Sequence, residues 1–430
     1  LDFLSKSPTA FHAVENYRQI LNADGFKELL ESEHWDIVPG GKYYVTRNNT
    51  SILAFKVGTK LDNYSFNIVT SHTDSPTFKL KENAEIEVKN KYTQLNTEGY
   101  GGMLCATWLD RPLSIAGRVL VSEGNSIVTK LLNIDRDLLM IPNVAIHMNR
   151  AANDGFKYNL QVDMLPLLSA GDDRQKDFKQ ILADELGVKK EDILGHDLYL
   201  YNRMAPSIWG ANEEFISAGH LDDLQCGFAS LKALLAGYND ESIDIMACFD
   251  NEEVGSGTKQ GADSTLLRDT LTRINSALGK TEEDYYRALA SSFMLSSDNA
   301  HAVHPNHPEH TDATNCTYMN EGVVVKSHAG QKYTSDGVSM AVVKALASGA
   351  DVPLQYFANR SDKAGGSTLG NIAMAQASMN AVDIGLPQLA MHSSYETAGI
   401  KDTYYAISLM KALFDSHIQE TSTHSLEIKR

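Results

Sequence analysis

The sequence is poor in cysteine, in positive charge and in long apolar runs, and each shortage argues against a class of function. Four cysteines in 430 residues (Cys105, Cys226, Cys248 and Cys316) are widely spaced and form no Cys-x-x-Cys pair. A disulfide scaffold and a thiolate zinc site are therefore disfavoured, and a reducing, cytoplasmic setting is expected. Lysine and arginine number 38 against 55 acidic residues, a formal charge of −17. Such a surface repels phosphate over most of its area, so nucleic acid is not an expected partner. No apolar run approaches the ~18–20 residues of a membrane-spanning helix, and the opening LDFLSKSPTA lacks the charged-then-apolar layout of a secretory signal. No membrane partner is expected. The sequence starts at Leu1, not Met, which leaves room for residues upstream. Low-complexity tracts and short-period repeats are missing too, which argues against a solenoid.

What is present reads as an α/β protein. Buried-strand patterns recur at Phe66–Thr70, Ile243–Phe249, Phe293–Leu295, Leu354–Phe357 and Leu389–Met391. They alternate with helical spacings such as Leu224, Phe228, Leu231, Leu234 and Leu235, or Ile407, Met410, Leu413 and Phe414. This rhythm predicts a mixed sheet with helices on both faces. Between about Phe78 and Asn202 the texture changes. Lys79–Lys91 and Ser114–Ile134 alternate polar and apolar residues around expected turns at Gly117 and Gly124-Asn125, a pattern of antiparallel hairpins, and a charged helix is expected over Arg174–Leu186. We read residues 79–207 as a β-rich domain inserted into a catalytic domain made of 1–78 and 208–430.

The acids and histidines fall where chemistry is expected in such a fold. Open α/β sheets bind ligands beyond the carboxyl ends of their strands. Here the predicted strands run into His72 and Asp74, into Asp250-Asn251-Glu252-Glu253, into Asp298 and into His392, while Asp222 precedes the helix starting near Leu224. Each residue has an ordinary structural explanation: Asp222 as a helix cap, Glu252-Glu253 as a solvated turn, the histidines as satisfied loop or core residues. Their joint gathering at one edge is not explained that way. Two histidines with carboxylates and no cysteine suit zinc, manganese or cobalt. Asp74 is placed to orient His72, and of the adjacent Glu252 and Glu253 one can hold a metal while the other moves protons. Gly255–Gly261 and Gly279-Lys280-Thr281 have the wrong spacing for phosphate loops. Paired glycosidase carboxylates would leave the histidines unexplained.

The motifs Ser71-His72-Thr73-Asp74-Ser75-Pro76, Leu221-Asp222-Asp223, Asp250–Ser256, Ser297–Asn306 and Met391-His392-Ser393 resemble, in order and spacing, the aspartyl aminopeptidases and vacuolar aminopeptidase I. The resemblance spans nearly the whole chain. It implies a two-metal aminopeptidase in which Asp222 bridges two divalent ions, zinc first, with cobalt or manganese as alternatives. His72 and Asp298 would complete one site, and Glu253 and His392 the other. Glu252 would be the general acid/base, Asp74 would orient His72, and the substrate's free α-amine would bind one metal. A cis peptide at Asp222–Asp223 is implied, although many members carry asparagine where this chain has Asp223. His304 would support the oxyanion, Lys326 and Tyr333 would line the substrate pocket, and His147 would reach a neighbouring subunit's site. The inserted domain would dimerise the chain, and the dimers would assemble into a tetrahedral dodecamer. Peptides with an acidic N-terminal residue, or else a neutral one such as leucine, are the expected substrates. Alternative readings are an inactive oligomeric peptide-binding shell and a deacylase or amidase on the same scaffold.

Overall fold

A nine-stranded sheet carries apolar side chains on both faces, and alternation along its central strands divides them between two cores. The computed structural model describes residues 1–171 and 177–430. The strands lie in the order Lys27–Leu29, Lys42–Arg47, Ser51–Val57, Ser242–Phe249, Ser65–His72, Phe293–Ser297, Asn380–Gly385, Val323–Lys326 and Leu354–Phe357. The four from Ser242–Phe249 to Asn380–Gly385 run parallel. Every residue of Ser65–His72 and Ser242–Phe249 is buried, as parallel strands covered on both faces require. Val69, Met246 and Leu295 point to one core, shared with helices Ala10–Ala23, Leu221–Ala236, Gly337–Gly349 and Asp402–Phe414. Their neighbours Ile68, Ile245 and Met294 enter the other, against helices Leu266–Ala277, Glu282–Ala290 and Leu369–Gln376. The expected mixed sheet with helices on both faces is present.

The segment expected as a strand at Leu389–Met391 behaves differently. Its strand is Pro387–Leu389, and it belongs to a separate sheet ordered Ser207–Trp209, Phe215–Ala218, Glu396–Gly399, Pro387–Leu389 and Ala300–His301. Left-handed backbone at Ala390 (φ +56°) and His392 (φ +68°) ends the extended run. His392 is thus a turn residue of a second sheet.

A six-stranded antiparallel sheet draws all its strands from residues 77–202, in the order Ser126–Asn133, Leu113–Glu123, Ile193–Asn202, Thr77–Val88, Tyr92–Tyr100 and Leu167–Ala170. It packs around its own core of Phe78, Trp108 and Leu132 with helix Phe178–Leu186. That helix starts later than the expected Arg174, because the Asp177 side chain caps it by accepting from Gln180 N–H at 2.7 Å. The expected residues 174–176 lie outside the described residues. The hairpin turn at Gly124-Asn125 is present between Leu113–Glu123 and Ser126–Asn133.

Gly117 is not the expected turn. It sits inside Leu113–Glu123, opposite Leu198, with φ +149°, and a Cβ there would lie 2.1 Å from the Asp197 carbonyl oxygen. The close approach sets the strand spacing beside Asp197, whose carboxylate bridges Lys79 and Arg118 at 2.9 Å each. Gly117→Ala is expected to cost more than about 1 kcal/mol, since the new methyl meets backbone and the φ disfavours it. A lowered urea midpoint checks this; an unchanged midpoint would show that the strands can part without penalty. Among the described residues no helix is long and apolar enough to cross a membrane.

Candidate metal centre

The expected ligands converge where the carboxyl ends of the parallel strands meet the small sheet. His72 ends Ser65–His72 and pairs with Phe249, after which the neighbouring chain turns through Asp250-Asn251 to Glu252 and Glu253. Asp298 follows Phe293–Ser297. Asp222 and His392 arrive from the small sheet, one after Phe215–Ala218 and the other after Pro387–Leu389. The site is therefore assembled from two sheets, not from one edge.

Two donor groups share one carboxylate. His72, Asp222 and Asp298 each offer a donor atom within 4.8 Å of the others, and so do Asp222, Glu253 and His392. Asp222 Oδ1 lies 3.3 Å from His72 Nε2, and Oδ2 lies 3.5 Å from His392 Nε2. Glu253 Oε2 is 3.4 Å from His392 Nε2, and Asp298 Oδ1 is 4.0 Å from His72 Nε2. Glu252 shares a similar group with His72 and Glu253, so it hangs over the first cluster. Asp222 does not act as a helix cap: it and Asp223 have non-helical backbone, joined by a cis peptide, and its side chain faces the histidines.

The hydrogen bonds of the rings decide what fits here. His72 Nδ1 is 3.0 Å from the carbonyl oxygen of Asp74, and His392 Nδ1 is 3.0 Å from that of Gly102. A carbonyl can only accept, so both Nδ1 atoms carry the proton, and both Nε2 lone pairs face carboxylates. Asp222 Oδ1 and Glu253 Oε1 are buried without a hydrogen-bond partner. Even two imidazolium rings and Lys326 would leave the four carboxylates in excess. Burial pushes Glu252 up to about 8 and Asp298 to about 6, with neighbouring carboxylates adding to both shifts. Cations set between these atoms would satisfy the lone pairs and reverse the repulsion. The residues fit divalent metal.

Asp74 has a different part from the one expected. Its carboxylate is 3.5 Å from His72 Nδ1, farther than its own backbone carbonyl. It accepts instead from Glu252 N–H and Glu253 N–H at 3.2 Å each and from Tyr100 O–H at 2.6 Å. Asp74 thus orients His72 through the main chain and the Glu252-Glu253 turn through the side chain. The reason is register: the tight turn after His72 brings the carbonyl, not the side chain, under the ring. Asp223 is wholly buried and accepts from His72 N–H at 3.1 Å. Burial holds its carboxyl well above the usual range.

The remaining expected residues lie farther out. Lys326 is 3% exposed, donates to Asn299 O at 2.8 Å and lies 4.0 Å from Asp298 Oδ1. Burial opposes its charge, but Asp298, Tyr333 and Asp383 outweigh it and hold the ammonium protonated. Tyr333 is buried beneath it, its ring centroid 5.7 Å from Nζ. His304 is exposed beside a cleft of about 270 Å³, lined also by His301, Phe357, Gln388 and Met391, the residue before His392. His147 is exposed on the inserted sheet's side and is not among the residues of either donor group. Two contributors, Tyr100 and the carbonyl of Gly102, carry no site motif of their own, and Glu396, which accepts from Asp222 N–H and His392 N–H, carries none either. Only Glu396 had a usable signal, its place four residues after His392.

Comparison with known proteins identifies the family. The family model for the aminopeptidase I zinc metalloproteases (M18) matches residues 3–414. A probable M18 family aminopeptidase 2 of Clostridium novyi is 48% identical over 421 residues, covering 96% of this chain and 97% of that protein. The structure of Chaetomium thermophilum mApe1 superposes with a TM-score of 0.87 at 30% identity, covering 96% of each chain. The S. cerevisiae mApe1 dodecamer gives 0.83 at 29% identity, covering 96% of this chain and 94% of that one. With fold and sequence matching over nearly its whole length, this chain belongs to the M18 family and is a metal-dependent aminopeptidase.

Proposed function

We propose that the enzyme uses two divalent cations, zinc ahead of cobalt or manganese, to remove the N-terminal residue of peptides, with acidic N-terminal residues preferred over neutral ones. The observation that carries this is the pair of donor groups sharing Asp222, each with a histidine lone pair turned inward. His72 and Asp298 would hold one ion, Glu253 and His392 the other. Such ions supply Lewis acidity, lowering the pKa of water and polarising a carbonyl. Glu252, held over the cluster by its backbone bond to Asp74, takes the water's proton and delivers it to the departing amine. His304 donates to the developing oxyanion. Lys326, buried and charged, biases the pocket beside Asp298 toward an acidic side chain, with Tyr333 as its wall.

The chain would divide into 1–78 with 208–430 as the catalytic unit and 79–207 as the inserted one, a reading supported by a six-stranded sheet drawn from residues 77–202. The inserted unit dimerises the chain and sends His147 to a neighbour's site, and dimers build a tetrahedral dodecamer. Exposed Val144, Ile146 and Met148, flanking His147, support a covered face there. A dodecamer is the state named for the S. cerevisiae relative. Four free cysteines suit a reducing, cytoplasmic compartment.

Treatment with a chelator is expected to remove two metal equivalents per chain and abolish hydrolysis of aminoacyl arylamides, with zinc, cobalt or manganese restoring it. A panel of Asp, Glu, Leu and N-acetylated substrates reads specificity. Retained activity in metal-free protein would end the reading, and faster cleavage of the N-acetylated substrates would assign an amidase instead.

A further inference from the structure

The small sheet contains a buried carboxylate to which no role has yet been given. Strand Glu396–Gly399 lies between Phe215–Ala218 and Pro387–Leu389, pairing Ala218 with Glu396 and Leu389 with Thr397. Each flanking strand runs directly into a ligand-bearing turn, one ending at Asp222 and the other at His392. Glu396 opens the middle strand, so its side chain stands between the two turns. One carboxylate oxygen accepts from Asp222 N–H at 3.0 Å and the other from His392 N–H at 2.8 Å. Glu396 is 2% exposed, and both of these bonds come from main-chain amides.

A buried carboxylate with amide partners alone is costly, because two hydrogen bonds offset only part of its desolvation. The turns it joins are unusual as well. His220, Ala390 and His392 all have left-handed backbone, at φ +63°, +56° and +68°, a region non-glycine residues keep only when surrounding contacts hold them. We propose that Glu396 is a positioning residue that clamps the two turns together and so sets the 3.5 Å separation of Asp222 Oδ2 and His392 Nε2 across which one cation is held. The clamp acts through main-chain amides, so it fixes the ligands' origins and leaves their side chains free to bind. This rests on the two-cation reading above.

Glu396→Gln keeps the shape but turns an NH₂ toward one of the two amides, breaking one bond of the pair. The test is Co²⁺ titration of chelator-stripped full-length protein, followed by visible absorption and by elemental analysis, for the wild type and this variant. The variant is expected to bind the ion of the Asp222, Glu253 and His392 group about 10–100-fold more weakly, as loss of a ligand's supporting hydrogen bond typically does. The His72 and Asp298 side should change much less, and the melting point of the metal-free protein should stay near wild type. Glu396→Asp, which keeps the carboxyl group but shortens the reach, should show the same selective loss, and it replaces the glutamine variant if that one fails to fold. Wild-type affinity at both positions would overturn the clamp. Equal weakening at both, with a lower metal-free melting point, would overturn it in favour of a general structural role. A wild type that takes up fewer than two Co²⁺ would instead sink the two-cation reading, and the clamp with it.

Discussion

Glu252→Gln is expected to lower kcat by about 10³-fold while leaving two metal ions per chain and a KM within a few-fold of wild type. The magnitude is that of a lost general acid/base, typically 10²–10⁴. Metal content should hold because both donor groups have full sets of ligands without Glu252: His72, Asp222 and Asp298 in one, Asp222, Glu253 and His392 in the other. The fold should hold because Glu252 is anchored to Asp74 by its backbone N–H, which the substitution keeps. Glutamine is nearly isosteric, so only the capacity to accept and return a proton is removed. Steady-state kinetics with elemental analysis on the same preparation checks this. Wild-type turnover in metal-replete protein would take the proton-transfer role away from Glu252.

Asp222→Asn is expected to have the other large effect, by a different route. Its two carboxylate oxygens face two different histidines, at 3.3 and 3.5 Å, so the change strikes both donor groups at once. An asparagine there turns an NH₂ toward one imidazole lone pair, and that internal hydrogen bond competes with any cation. Metal content should fall from two to below one per chain, and kcat/KM by roughly 10³-fold or more, since several kcal/mol of Lewis-acid stabilisation is lost. Asp298→Asn, which touches only the His72 group, should lose one ion and keep the other. The contrast between the two variants is the measurement. If Asp222→Asn kept both ions, Asp222 would not be shared.

The parts of this protein that were legible in sequence are those where local pattern and tertiary position coincide. Strands buried on both faces carry apolar residues such as Phe66, Ile68, Val69, Ile243, Ile245 and Met246 in close succession, so Ser65–His72 and Ser242–Phe249 stand out, and a site is expected beyond their carboxyl ends. Antiparallel strands with one wet face alternate, so the hairpin around Gly124-Asn125 could be read too. Gly117 could not. A glycine signals backbone freedom, but whether the freedom is used for a turn or for close approach to Asp197 depends on the strand opposite. His392 was visible as a residue but not as a member of a second sheet, because the strand Glu396–Gly399 that makes that sheet is only four residues long.

Residue order alone was enough to fix the fold class and the family, because hydrophobic period and the chemistry of histidine and carboxylate motifs are properties of the side chains themselves. Which atoms of those side chains meet was decided only in three dimensions. Asp74 holds His72 with its carbonyl and the Glu252-Glu253 turn with its carboxylate; Gly102 contributes a main-chain oxygen; Glu396 joins the His392 turn to the Asp222 turn, which lies 174 residues before Glu396 in the chain. Backbone donors and acceptors are the same at every position of a sequence, so their use in a site is set by packing and register, and it is those contacts that aim the ligands.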